Sequence, residues 1–97
     1  MTNLTVISVR SLPSGGSSMG VPHAPALYES RQRQDGKWTW RRVARPLLGT
    51  MMNRAGRVVE VGVWTEAKAV RLGEELAKEM GIPFVPGVRN GTPVSQD

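Results

Sequence analysis

Two hydrophobic periodicities divide the chain: a period of two before residue 64, and a period of three to four after it. Residues 3–10 (Asn-Leu-Thr-Val-Ile-Ser-Val-Arg) are rich in β-branched side chains and read as a strand. Residues 11–25 are dotted with proline, glycine and serine, so no regular element survives there and the stretch reads as a flexible loop. A loop that long is uncommon inside a compact domain. The first strand therefore reads as an appendage, which either docks on a sheet edge or exchanges with another copy.

Ala26 to Arg33, Gln34-Asp35-Gly36-Lys37, and Trp38 to Ala44 together read as a β-hairpin. Asp-Gly between two extended runs is the strongest short-range signal for one. Alternation puts Trp38, Trp40 and Arg42 on one face of the second strand and Thr39, Arg41 and Val43 on the other. Pro46 ends that strand, because it has no N–H for the ladder. Residues 47–53 are apolar but interrupted by Gly49 and carry no assignment. Ala55-Gly56 then turns into a strand of high β propensity over 57–64, which ends on Trp64.

From Thr65 the period changes. Thr65 is placed to cap a helix and Glu66 sits in its positive first turn. Ala69, Leu72, Leu76 and Met80 form an apolar stripe, widened by Gly73 and Ala77. Gly81 suits the left-handed closing position, Ile82 folds back on Ala77, and Pro83 forbids continuation. The expected fold is α+β: a small antiparallel sheet of three to four strands packed on one C-terminal helix, in β-β-β-β-α order. The expected organisation is an N-terminal strand (1–10), a loop (11–25), a sheet-plus-helix domain (26–85) and a disordered tail (86–97).

Composition changes this picture in two ways. At 97 residues with no cysteine, the chain has room for one small domain and no disulfide or thiolate metal site. No run is long enough for a membrane span, so the expectation is a soluble, cytoplasmic protein without a membrane partner. The charge is also localised. Arg31, Arg33, Lys37, Arg41, Arg42, Arg45, Arg54 and Arg57 face one acid, Asp35, within residues 31–57, giving that segment +7 of a chain whose net charge is +5. Ten of the thirteen basic residues are arginine, whose planar fork suits phosphate or carboxylate.

Catalysis finds no footing. The one histidine, His23, falls in the proline-flanked loop, and the carboxylates show no pairing or metal-ligand spacing. Gly15 to Gly20 lacks the lysine and following helix of a phosphate loop, and reads as linker. The expectation is a binding protein and not an enzyme, with no cofactor and no metal. A domain this poor in large aliphatic residues needs its tryptophans inside, which places Trp64 beneath the helix and favours a core position for Trp38 and Trp40.

Asp35-Gly36-Lys37-Trp38-Thr39-Trp40-Arg41, a strand ending at Trp64, and Thr65-Glu66-Ala67-Lys68-Ala69 opening a helix form a pattern over residues 26–81. It resembles the AP2-like arm-binding N-terminal domains of phage-type tyrosine integrases. That resemblance implies a three-stranded sheet that enters the DNA major groove, with Arg31, Arg33, Arg41, Arg42 and Arg45 facing DNA. Stand-alone basic proteins of this size are common among phage and mobile-element accessory factors, and the expectation is such a factor. The longer insert at 46–56 and the extra first strand depart from the integrase pattern.

Two functions remain open. In one, all eight basic residues of the cluster serve DNA or RNA by contacting phosphates. In the other, the protein docks on an acidic host protein, with Leu47, Leu48, Met51 and Met52 as the adaptable contact surface. An exposed strand edge further offers pairing with a second copy as a homodimer.

Overall fold

The β-branched run at the N-terminus finds its partner in the strand that begins at His23. The computed structural model describes residues 3–13 and 22–94. β1 (Thr5–Ser11) lies antiparallel to β2 (His23–Gln32), with Ile7 opposite Leu27 and Ser11 opposite His23. β2 pairs on its other side with β3 (Trp38–Arg42), Tyr28 opposite Arg42 and Gln32 opposite Trp38. A second, separate sheet holds only β4 (Thr50–Met52) and β5 (Val58–Glu60). One helix, α1 (Glu66–Met80), completes an α+β fold with a three-stranded antiparallel sheet and a C-terminal helix.

β1 is thus an integral strand, docked on its own β2. β2 begins at His23, so that residue lies in a strand and not in the loop. Its N–H and C=O both pair with Val63, each bond 2.7 Å. Pro25 is tolerated in a central strand because β3 ends at Arg42, before reaching it. Gly15 to Gly20 lies outside the described residues.

Both hairpin turns have the same construction. In each, a three-residue loop closes with a glycine at positive φ: Gly36 at 85° between Arg33 and Lys37, and Gly56 at 79° between Asn53 and Arg57. This is a type I turn followed by a left-handed residue, so Asp35 needs no positive φ. Asp35 instead accepts the Lys37 N–H at 3.0 Å.

The helix is built as its sequence implies. Thr65 Oγ1 accepts the Lys68 N–H, Gly81 is left-handed (φ 67°), and the Ile82 N–H reaches the Ala77 carbonyl at 2.9 Å. Its deepest line is Ala69, Gly73 and Ala77, with Leu72 and Leu76 flanking. Small residues on that line bring the helix close to the sheet. A Cβ on Gly73 would stand 2.7 Å from the Phe84 ring.

The helix covers one face of the sheet, where Ile7, Leu27 and Ala77 are buried with Val43, Leu47, Leu76, Ile82 and Phe84 packed around them. The opposite face carries Val6, Ala26, Tyr28 and Trp40, with Trp38 against them. Those tryptophans are core, but not under the helix. Their cover is the segment expected to be a disordered tail.

After α1 the chain runs beside β1, where the Ile7 N–H donates to Pro83 O and the Val85 N–H to Ile7 O. It then crosses the tryptophan face, burying Val88 and Val94, and runs antiparallel to β3. There the Trp40 N–H donates to Thr92 O and the Val94 N–H to Trp38 O. Two buried serines fasten the arrangement: Ser8 Oγ accepts the Val88 N–H, and Ser30 Oγ accepts the Leu4 N–H. One continuous crossover therefore covers a face and occupies part of each sheet edge. Edge-to-edge pairing of this sheet with a second copy has correspondingly less edge to use.

The strand expected over 57–64 is shorter and lies elsewhere. It is β5, joined to β4 from the unassigned apolar insert, and it does not enter the main sheet. The chain after it is drawn against the start of β2, where a Cβ on Gly62 would meet His23 O at 2.9 Å. Trp64 is consequently 52% exposed and does not lie beneath the helix.

Candidate functional site

Alternation along β2 and β3 sorts the basic cluster into separate places. Arg31 and Arg41 point to the helix side of the sheet, but at the hairpin end that α1 does not cover. Arg33 and Lys37 close the turn of that same hairpin. Arg31, Arg33, Gln34, Thr39 and Arg41 line an open groove of about 510 Å³, together with Asn90 from the crossover. Two acids lie among these cations. Glu29 faces Arg41 across the ladder and holds Arg31 at 2.7 Å, and Asp35 stands 4.0 Å from Arg33. Both are surface pairs of small energetic weight, so the guanidiniums stay available to an anion.

Arg42 belongs to the other face. Its backbone N–H donates to Asn90 Oδ1 at 2.7 Å, and its side chain lies near the buried Tyr28. Arg10 and Arg89 approach the same phenol, and Glu60 holds Arg10 at 3.1 Å. Burial pushes the Tyr28 phenol above its ordinary value, the three guanidiniums oppose that shift, and Glu60 adds to it. Burial outweighs the cations, so Tyr28 stays protonated beyond its usual range. Arg10 and Arg89 lie outside the 31–57 segment. The signal for Arg10 is its even position in β1, which places a charge in line with Val6 and Ser8.

Arg54 and Arg57 sit at the tip of the β4–β5 hairpin, and Arg45 is exposed in the loop after β3. Three basic sets and the separate Arg45 result, not one sheet face. Arg31, Arg33, Lys37 and Arg41 form the largest.

The apolar candidates also divide. Leu47 packs into the helix-side core and so contributes to the protein's own stability, and Leu48 is half-buried. Met51 and Met52 are exposed at 55% and 66%. Register pairs Met51 with Val59 on one side of the hairpin and Met52 with Val58 on the other. Trp64 joins Met51, Val59, Leu12, Pro22 and Gly62 around a cleft of about 730 Å³. Val58, Val59 and Trp64 are additions to the sequence-derived set.

No helix among the described residues is long and apolar enough to cross a membrane. No family profile, curated protein or solved structure matches the chain.

Proposed function

We propose that this chain is a small nucleic-acid-binding protein that grips the phosphate backbone with the uncovered end of its β2–β3 hairpin. The observation carrying this reading is the convergence of Arg31, Arg33 and Arg41 around one open groove, with Lys37 beside them at the hairpin turn. Arginine forks there suit paired phosphate oxygens. Trp40 is buried and Trp38 packs half-buried against its cluster, so recognition rests on charge and not on a stacking platform. The mode differs from the integrase-like docking of a sheet face, because the helix covers one face of this sheet and the crossover the other.

Each phosphate contact on duplex DNA adds about −0.9 to the slope of log binding constant against log salt. Replacing Arg31, Arg33 and Arg41 together by alanine should therefore flatten the slope by about 2.7. The check is fluorescence anisotropy of a labelled duplex at several salt concentrations. An unchanged slope in the triple variant rejects the site, and no binding by the native chain at ~50 mM salt rejects the function.

The β4–β5 hairpin favours a second reading, docking on another protein. A two-stranded hairpin with exposed apolar residues on both sides is marginal by itself and suits insertion against a partner. Met52→Glu with Val58→Glu should abolish capture of that partner from lysate and leave duplex binding intact. Equal capture by both forms would remove this reading.

A further inference from the structure

The crossover occupies the outer edge of β1 only in part. Along β1 and the residues flanking it, the groups at Leu4, Val6, Ser8, Arg10 and Leu12 turn inward to β2, while those at odd positions turn outward. Ile7 uses both outward groups on Pro83 and Val85. At Pro86 the chain turns away over the tryptophan face. The next outward positions, Val9 and Ser11, make no outward backbone bond among the described residues.

That stretch of edge is the floor of a cleft of about 480 Å³. One wall is the first turns of α1, with Glu66 and Val70. The other is the crossover, with Gly87, Arg89 and Asn90. The walls differ in charge. On the crossover side, Arg10, Arg42 and Arg89 gather around Tyr28 against one carboxylate, Glu60. Arg10 is held by Glu60, whereas Arg89 has no ion pair among the described residues. On the helix side, Val9 and Val70 offer apolar surface and Glu66 repels acids.

We propose that this open stretch of β1 binds an extended acidic peptide as an added strand, its main chain pairing with Val9 and Ser11. Alternation in the peptide then sets the preference. Acidic side chains face Arg89 and the guanidiniums beyond it, and apolar side chains lie over Val9 and Val70. The site is separate from the β2–β3 groove, so it stands or falls independently of the phosphate reading.

The test is an NMR titration of the full chain with acetylated (Glu-Val)3 at ~50 mM salt, with acetylated (Lys-Val)3 as control. Binding should raise hydrogen-exchange protection at the Val9 and Ser11 amides at least tenfold, and the lysine peptide should do nothing. Val9→Pro removes one outward N–H and no ladder bond to β2. It should weaken the peptide at least tenfold with the β1–β2 amides still protected. Arg89→Glu should weaken it by a similar factor without touching the edge, which keeps the test sound if the proline variant misfolds. Val9 and Ser11 amides already protected in the free chain would overturn the proposal. So would equal binding of the lysine peptide, unchanged affinity in both variants, or displacement of the peptide by duplex DNA that itself shifts Arg89.

Discussion

A chain ending at Val85 loses its cooperative unfolding transition and binds hydrophobic dye, whereas one ending at Val94 melts within a few degrees of the full chain. The difference is nine residues that hold Val88 and Val94, buried at 3% and 7% exposure, against Val6, Tyr28 and Trp40. Burying a valine contributes about 1.5–3 kcal/mol, so the two valines alone approach about 3–6 kcal/mol. Loss of the crossover also exposes Trp40 and frees its N–H and C=O, which Thr92 and Gly91 otherwise engage. Domains of this size hold only about 5–15 kcal/mol in total, and usually the lower part of that range. Circular dichroism melts of the two truncated chains and the full chain decide the matter. Equal melting temperatures for all three would show that the crossover contributes nothing.

Trp40→Ala should cost about 3–5 kcal/mol, and Trp64→Ala close to nothing. The two side chains have equal hydrophobic content and opposite surroundings, 8% against 52% exposed. Trp40 sits opposite the buried Ser30 and in one cluster with Tyr28 and Val94, so its removal leaves a hole bounded by a strand and the crossover. Packing there collapses poorly, because the crossover is tied to the backbone of β3 on that edge. Urea titration monitored by far-UV circular dichroism separates the pair. A Trp40→Ala protein as stable as the native one would mean that the crossover face is not core.

How far the sequence reveals this fold depends on how local each signal is. The helix is legible to its last residue, since Thr65, Gly81, Ile82 and Pro83 all act within one turn of its ends. The β2–β3 hairpin is legible because Asp35-Gly36 specifies its turn. The partners of each strand are not legible, because residues 57–64 and residues 3–10 have the same β propensity and compete for one place beside β2. Gly62 and the His23–Val63 pairing settle that competition in the structure, and neither has a local signature. The crossover is invisible for a related reason. Pro86, Gly87, Gly91 and Pro93 give residues 86–94 the composition of a tail, and only two valines contradict it. The basic cluster is legible as charge but not as a site, since alternation, two turns and the loop after β3 distribute it over four places.

The crossover also orders events in time. Val88 bonds to Ser8 across a separation of 80 residues, among the longest links the chain can make. Proteins dominated by such links fold slowly. At about 5–20 residues per second, the ribosome takes about 4–16 s to make the chain between those two partners. From the completion of β3 at Arg42 until Val88 is made, β1 and the hairpin exist with Trp40 and Tyr28 uncovered and both strand edges open. The nascent chain is therefore most exposed to aggregation during its own synthesis, and it becomes safe only when the crossover arrives.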